Sequence, residues 1–178
     1  ALCREGIARM GPEAELYIRP MFFVRKGLGA ARPDPDSTDF VLAIYDSPLP
    51  GFKGFSATLA PFRRPAPDQA PTDAKAACLY PNGARATAWA VERGFDNAVM
   101  CDIDGHVAEF ASANIMFAKD GKVITPAPNN TFLNGITRQR VIGLLREAGV
   151  TVEERAVAPA ELDTADEIFS TGNYAKVQ

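Results

Sequence analysis

The chain has 178 residues, of which 47% are hydrophobic and 23% charged, a balance typical of a folded globular protein. Its net charge of −3 provides no basic field for a nucleic-acid backbone or an anionic membrane, and no run of about 18 apolar residues predicts a membrane span. Three cysteines at unrelated spacings and a single histidine form no metal-ligand, disulfide or catalytic serine–histidine pattern. We therefore predict no metal and favour a reducing cytoplasm.

Hydrophobic periodicity and turn residues predict many short strands and a few helices. The strand-like segments, rich in branched and aromatic residues, are 15–24, 40–45, 55–61, 98–103, 107–110, 113–118, 122–125, 150–157 and 167–170. Helical patterns cover residues 1–10, 82–93 and 137–148. The dipeptides Asp104-Gly105 and Asp120-Gly121 predict two-residue hairpin turns. This order predicts an α+β fold rich in antiparallel hairpins, not a doubly wound parallel sheet.

The Ser-Pro-Leu-Pro-Gly segment at residues 47–51 interrupts the pattern and predicts a linker. We expect a partial small N-terminal domain over residues 1–47, a linker over 48–54 and a large domain over 55–178. Because the chain opens inside a helix-like segment and stops just after a strand-like one, we expect an excerpt of a longer protein. The C-terminal end of the large domain is expected to be missing.

Lys75 lies among small residues, in Asp73-Ala74-Lys75-Ala76-Ala77, and Tyr80 follows it. Pro81 biases Tyr80 away from the helical region, so we predict an irregular segment in which lysine and phenol converge. A lysine held among apolar neighbours loses solvation, which favours its neutral, nucleophilic form. Taken alone, the pattern also fits a solvated surface lysine.

Glu109 lies in the apolar strand Val107-Ala108-Glu109-Phe110. A buried carboxylate requires a cationic or hydrogen-bonding partner. A protonated pyridine nitrogen would serve, since the ion pair keeps such a ring an electron sink. The alternative is an outward-facing glutamate on an edge strand.

Two segments offer donors to an anion. Asn134-Gly135-Ile136-Thr137-Arg138 opens the last predicted helix, where free amides and a threonine hydroxyl suit a phosphate, although an ordinary helix cap uses the same residues. Ser170-Thr171-Gly172-Asn173-Tyr174 is a turn after a strand with several donors. The Arg63-Arg64 pair is predicted to be a solvated loop instead of a phosphate patch.

Taken in order, these segments resemble the fold-type-IV pyridoxal-phosphate enzymes, and among them most closely the branched-chain amino acid aminotransferases. The resemblance extends from Tyr17 to Lys176. It rests on Tyr17-Ile18-Arg19-Pro20, Lys75 with Tyr80, the string from Glu109 to Asn114 and Ile115, Leu133 with Gly135-Ile136-Thr137-Arg138, and Ala165-Asp166-Glu167-Ile168-Phe169 with the turn that follows. It implies a two-domain α+β fold with part of the small α/β domain and most of the large hairpin-rich C-terminal domain present.

The resemblance also implies a pyridoxal 5′-phosphate cofactor and transfer of an amino group between a branched-chain L-amino acid and 2-oxoglutarate, in a homodimer. Lys75 would form the Schiff base, Tyr80 would contact the phenolate oxygen, and Glu109 would bind the pyridine nitrogen. The residues expected at the cofactor phosphate are Gly135, Ile136, Thr137 and Asn173. Those expected on the substrate side are Tyr17, Arg19 and Tyr174.

Two departures from the family pattern leave alternatives open. Ala77-Cys78-Leu79 stands where members often have Gly-Gly-Asn, and Asn173-Tyr174 replaces a commoner Thr-Ala pair. Because Tyr174 is much bulkier than alanine, the choice of amino acid stays open. D-amino acid aminotransferases, (R)-amine transaminases and an aminodeoxychorismate lyase share the same fold and remain alternatives. The family's phosphate-binding N-terminal arginine lies upstream of Ala1, so a catalytically incomplete fragment is a further alternative. A plain binding module with a surface Lys75 is the last.

Overall fold

The computed structural model of the chain describes residues 1–28, 31–49, 51–174 and 176–178. The chain divides into two compact units, residues 1–50 and 51–178. The assignment of a small domain to 1–47, a linker to 48–54 and a cofactor-binding domain to 55–178 stays a prediction. Pro50, within the predicted linker, lies outside the described residues.

The first unit combines one helix with a long two-stranded antiparallel ribbon. Its elements are α1 (Leu2–Ala8), β1 (Leu16–Val24), β2 (Gly27–Leu28), β3 (Arg32–Pro33) and β4 (Thr38–Asp46). β1 and β4 pair in one unbroken register, and Pro20 is tolerated because a two-stranded ribbon has only edge strands. Gly6 allows α1 to approach β4, since a Cβ at that position would collide with the Ile44 side chain.

The second unit contains two sheets. A three-stranded sheet has the order β5 (Ala57–Arg63), β6 (Asn97–Cys101), β7 (Val107–Phe110). A five-stranded sheet is built from β8 (Asn114–Lys119), β9 (Lys122–Pro126), β10 (Val152–Arg155), β11 (Glu167–Gly172) and β12 (Lys176–Val177), in the order β10-β9-β8-β11-β12. Only the β5–β6 and β9–β10 pairs among these described strands are parallel, so the predicted hairpin-rich α+β fold is confirmed.

Two helices cover these sheets. α2 (Tyr80–Val91) packs its alanines against Met100 of the three-stranded sheet, and α3 (Ile136–Glu147) packs Ile142 against Met116 and Val123 of the five-stranded sheet. Short 3₁₀ helices precede α2 at Ala77–Leu79 and follow β10 at Pro159–Thr164. No helix in the described ranges is long and apolar enough to cross a membrane.

A third apolar cluster fills the space between the two sheets. It joins Val99, Val107 and Phe110 of one sheet to Ile115 and Phe117 of the other. Phe117 and Ile115 are almost fully buried, and each such side chain contributes about 1.5–3 kcal/mol through removal from water. This core fixes β7 against β8, and therefore fixes Glu109 on β7 relative to the segments that β8 organises.

The β6–β7 loop is longer than the predicted two-residue turn at Asp104-Gly105. The Asp102 N–H donates to His106 O at 2.8 Å, which leaves Ile103, Asp104 and Gly105 as a three-residue loop. Asp102 Oδ1 accepts the N–H groups of Asp104 and His106 at 3.0 and 2.9 Å, and Gly105 takes a φ of 88°. The predicted hairpin is confirmed. The predicted two-residue turn was wrong, because the Asp102 side chain stabilises a longer loop.

The second predicted hairpin has the expected turn. Lys119 pairs with Lys122 across β8 and β9, and the two intervening residues, Asp120 and Gly121, have φ values of 50° and 74°. Two consecutive positive φ angles match the right-handed twist of the flanking strands.

Candidate active site

Glu109 points inward from β7. It is directly opposite Met100 on β6, so both side chains lie on the sheet face that α2 covers. The Glu109 side chain is only 13% exposed. The alternative of an outward-facing glutamate is therefore wrong, and the burial demands a partner for the carboxylate.

Arg64 supplies a positive charge at that carboxylate. Its Nε lies 3.1 Å from Glu109 Oε1 and donates to the carbonyl oxygen of Thr131, also at 3.1 Å. The Arg64 side chain is 8% exposed, whereas Arg63 is exposed. The prediction of a solvated Arg63-Arg64 loop was wrong for Arg64, because the residue just after β5 is anchored to Cys101 O and its side chain contacts Glu109 and Thr131.

The Glu109 carboxyl titrates far from its ordinary range. Burial raises the pKa of Glu109 from 4.5 to about 7, against the lowering effects of the positive charges on Arg64 and Lys75. No donor among the described residues hydrogen-bonds either carboxylate oxygen, because the Arg64 Nε–H is directed at Thr131 O and Arg64 acts on Glu109 through its charge. The carboxylate is therefore available to a further cationic group.

Lys75 lies in a turn at residues 72–75 and is exposed. Contrary to expectation, Lys75 is not enclosed by apolar side chains of the described residues. Its positive charge nevertheless lowers the pKa of Glu109. Its Nζ has no hydrogen bond or ion pair within the described part of the chain. Lys75 and Glu109 are therefore brought within electrostatic reach, with the amine free to react.

Tyr80 begins α2, contrary to the prediction of an irregular segment. Its φ and ψ are −65° and −38°, and Pro81 occupies the first helical turn. A proline there loses no helical hydrogen bond, so the bias on the preceding residue is overcome by the start of the helix. The Tyr80 side chain is 52% exposed. It follows Lys75 after one 3₁₀ turn at Ala77–Leu79.

The start of α3 is held by Asn114 of β8. The Asn114 side chain donates to Leu133 O at 2.9 Å and accepts the N–H of Gly135 at 3.2 Å. A Cβ on Gly135 would collide with Asn114 Oδ1, so glycine is required for this approach. Gly135, the N-cap of α3, has no side chain to cap the helix, and no side chain of the described residues accepts from the first-turn N–H groups of Ile136 and Thr137, which suits them to an anion.

The turn after β11 lies near the start of α3 because β11 pairs with β8, the strand that carries Asn114. Thr171 is directly opposite Asn114, so its side chain shares the face that α3 covers. Thr171 Oγ1 is buried and has no partner among the described residues. Asn173 and Tyr174 follow and are exposed, and Lys176 Nζ donates to Asn173 O at 2.8 Å.

The predicted substrate residues of the first unit share one face of the ribbon. Tyr17 and Arg19 are two positions apart on β1, and Tyr17 stacks on Tyr45 with ring centroids 5.6 Å apart. Arg19 is exposed. Their place on the substrate side stays a prediction.

Three residues in this region were missed as site residues from sequence. Arg64 was assigned to solvent, Asn114 entered only as part of a string, and Thr171 only as part of a turn. Strand register is the signal that could have found Thr171, since it is the β11 residue directly opposite Asn114. Arg64 and Asn114 act through contacts distant in sequence, which no local pattern reveals.

The family model described as amino-transferase class IV matches residues 1–178. The chain belongs to the class IV aminotransferase family. The recognised family and its fold are thereby confirmed.

Curated relatives carry branched-chain names. The probable branched-chain-amino-acid aminotransferase of Aquifex aeolicus (strain VF5) is 39% identical over 183 residues, covering 99% of this chain and 58% of the relative. The branched-chain-amino-acid aminotransferase of Escherichia coli (strain K12) is 32% identical over 183 residues, covering 98% of this chain and 58% of the relative. The chain thus spans 58% of the length of these curated relatives.

Solved structures are similar over nearly the whole chain. An aminotransferase from Brucella abortus, bound to the co-factor PLP, is 50% identical with a TM-score of 0.95, covering 99% of this chain and 63% of that one. The Escherichia coli branched-chain amino acid aminotransferase is 32% identical with a TM-score of 0.85, covering 92% of this chain and 56% of that one.

Proposed function

We propose that this chain holds the cofactor of a pyridoxal-phosphate aminotransferase that moves an amino group between a branched-chain L-amino acid and 2-oxoglutarate. The observation that carries the proposal is an exposed Lys75 amine, without an ion pair in the described residues, whose charge acts on the buried Glu109 carboxylate. The branched-chain names of the relatives support the substrate class.

The chain's residues fit pyridoxal 5′-phosphate at three separate points. Lys75 offers an unpaired amine for the aldehyde, and Glu109 offers a carboxylate oxygen for the pyridine nitrogen. The α3 start offers free amides and the Thr137 hydroxyl to the phosphate, and the partnerless Thr171 hydroxyl lies on the same sheet face. An amine, a carboxylate and an anion-binding helix start are the groups that this cofactor requires.

When bound, the cofactor would supply an electron sink for the reaction at the amino acid α-carbon. Glu109 would hold the protonated pyridine nitrogen through a buried ion pair. Lys75 Nζ would be the base that takes the proton from the substrate α-carbon and gives it back. Tyr80 would donate a hydrogen bond to the phenolate oxygen, and Gly135, Ile136, Thr137 and Asn173 would hold the phosphate.

The substrate side is proposed on the resemblance. Arg19 would bind the second carboxylate of 2-oxoglutarate by a bidentate contact, and Tyr17 would line the same side. Tyr174 would replace the small residue usual at its position and narrow the space beside the substrate carboxylate. We further propose a homodimer in the cytoplasm; the free state of Cys3, Cys78 and Cys101 is compatible with that compartment.

The amine of Lys75 provides the most direct test. Pyridoxal 5′-phosphate is added to the protein, borohydride fixes any covalent adduct, and peptide mass spectrometry locates it. We expect the adduct on Lys75 and its complete loss in Lys75→Ala. Lys119→Ala is the matched control, since that lysine is also on the second unit but bonds Thr164 Oγ1 at 2.6 Å. An adduct that survives in Lys75→Ala would favour the plain binding module.

The substrate class requires a separate assay. L-leucine, D-alanine and an (R)-amine are each supplied with 2-oxoglutarate, and glutamate formation is followed. Turnover of L-leucine alone supports the branched-chain assignment, and turnover of D-alanine alone overturns it. An adduct on Lys75 with no turnover of any donor would indicate a catalytically incomplete fragment.

A further inference from the structure

We propose that Arg64 is a positioning residue that ties the two ends of the cofactor site together. The inference rests on the function proposed above. Its single guanidinium directs the Glu109 carboxylate and also fixes the β9–α3 loop, residues 127–135, which leads into the start of α3. The ring side and the phosphate side would then keep a constant separation.

The contacts of Arg64 join three segments of the chain. Its backbone N–H donates to Cys101 O at 2.8 Å and so anchors the residue beside β6. Its Nε lies between the Glu109 carboxylate on β7 and the Thr131 carbonyl in the β9–α3 loop, at 3.1 Å from each. A planar, always charged guanidinium suits this double contact, whereas a lysine ammonium on a flexible stem does not.

Electrostatics gives Arg64 a reason to be buried. Burial raises the pKa of Glu109 to about 7, and the charge of Arg64 is the larger of two opposing influences. Without Arg64 the carboxyl would hold its proton at higher pH and lose its attraction for a cationic ring nitrogen. Arg64 Nε lies beside Oε1, and we take Oε2 as the oxygen that faces the cofactor.

The β9–α3 loop is also fixed from the segment that carries Lys75. Thr72, 2% exposed and three residues before Lys75, donates through its hydroxyl to Asn130 O, next to the carbonyl that Arg64 holds. The connection that contains Arg64, Thr72 and Lys75 is therefore hydrogen-bonded twice to the loop before α3. Displacing Arg64 would release Glu109 and this loop together.

Arg138 provides a matched control. It is 1% exposed and also holds the β9–α3 region, with donations to Pro126 O and Asn134 Oδ1 at 2.8 Å each. Its carboxylate partner is Glu154, at 2.9 Å, and not Glu109. Arg138→Lys therefore disturbs the same loop without touching the Glu109 carboxyl.

The first measurement needs no cofactor. The Glu109 carboxyl is titrated by ¹³C NMR of glutamate-labelled protein, and its signal is assigned by its loss in Glu109→Gln. We expect Arg64→Met to move the titration midpoint upward by about 1–3 pH units, the usual effect of removing a nearby opposite charge. Arg64→Lys should move it less, and Arg138→Lys should leave it where it is.

The second measurement compares the affinity for pyridoxal 5′-phosphate with that for pyridoxal, which lacks the phosphate. The first affinity divided by the second reports the contribution of the phosphate side alone. Arg64→Met should weaken pyridoxal binding and also reduce the ratio, each by about tenfold or more. Glu109→Gln should weaken pyridoxal binding only, and Arg138→Lys should reduce the ratio only. An Arg64→Met protein with an unchanged Glu109 midpoint, or an unchanged ratio, would overturn the proposal.

Folding and function can be separated in this design. If Arg64→Met does not fold, Arg64→Lys supplies both measurements, and the double variant Arg64→Met/Glu109→Gln, which carries no unpaired buried charge, supplies the comparison of affinities. If wild-type protein forms no adduct at Lys75, the proposed function fails whatever Arg64 does. If the wild-type protein forms the adduct normally but substitution of Arg64 leaves the Glu109 titration midpoint unchanged, only the role of Arg64 is rejected and the proposed function stands.

Discussion

Asn114 and Thr171 are directly opposite each other across β8 and β11, and the Asn114 amide holds the chain on both sides of Asn134. One asparagine therefore brings two distant segments, the start of α3 and the turn after β11, to one place. Both segments were expected at a phosphate, and this pairing is the physical reason that they can act together.

Replacement of Asn114 tests this arrangement. Asn114→Ala leaves the Leu133 carbonyl and the Gly135 N–H without partners, which should destabilise the protein by about 1–3 kcal/mol. We also expect pyridoxal 5′-phosphate to bind about tenfold more weakly, since an unfixed α3 start presents its amides poorly. Denaturant unfolding and a cofactor titration measure the two effects. Asn97→Ala, which loses an exposed bond to Ser112, should leave cofactor binding unchanged.

Gly135→Ala should be harmful for steric reasons. Its backbone has an ordinary φ of −58°, so the conformation suits alanine, but the new Cβ would collide with Asn114 Oδ1. We expect lower stability and weaker cofactor binding, read from thermal unfolding and the same titration. Gly143→Ala is the control within α3, because nothing lies within 4 Å of its Cβ. That change should raise stability by about 0.5–1 kcal/mol, and a matching rise at Gly135 would contradict the steric argument.

Local patterns predicted the elements that depend on local chemistry. Helix α3 and the Asp120-Gly121 turn follow from apolar spacing and turn residues, and the chain confirms both. Glu109 was recognisable because a carboxylate in an apolar strand requires explanation. The start of α2 was misjudged because the preference of the residue before Pro81 is weaker than the gain from completing a helical turn.

The contacts that organise the candidate site depend on pairings across the chain. Buried Arg64 lies beside Glu109 of β7, and no residue near Arg64 in the sequence indicates that contact. Whether Ser170 or Thr171 faces α3 is decided by strand register, since a shift of one residue exchanges the two faces. Strand register depends on the pairing of the whole sheet. The sequence pattern alone therefore could not distinguish the Ser170 hydroxyl from the Thr171 hydroxyl, and both were predicted only as donors in a turn.

The titration of Glu109 predicts how stability depends on pH. Its folded-state pKa of about 7 lies above the ordinary 4.5, so the unfolded chain releases this proton first as the pH rises. The stabilising contribution is complete below pH 4.5 and is lost as the pH rises through 7. The loss is on the order of 3 kcal/mol.

Glu109→Gln should remove this part of the pH dependence. We expect the variant to gain stability relative to wild type between about pH 5 and 8, measured by urea unfolding of cofactor-free protein at a series of pH values. Glu147→Gln, at a side chain that is 66% exposed, should keep the wild-type slope. A Glu109→Gln protein with the full wild-type slope would show that another group titrates there.

The buried hydroxyls of Thr171 and Ser170 permit a test in which stability and binding change in opposite directions. Both oxygens lack a partner among the described residues, so removing either should leave the cofactor-free protein as stable or slightly more stable. Thr171 is opposite Asn114 on the α3 face, whereas Ser170 is opposite Ile115 on the face of the inter-sheet core. Only Thr171 is therefore placed to donate to a phosphate at the start of α3.

Thr171→Val keeps the shape of the side chain and removes its donor. We expect unchanged or higher unfolding free energy without cofactor, together with an affinity for pyridoxal 5′-phosphate lowered by about tenfold, the usual effect of losing a hydrogen bond to a charged group. Ser170→Ala should match it in stability and retain wild-type affinity. Equal affinities in the two variants would remove Thr171 from the phosphate site, because only its side of β11 faces α3.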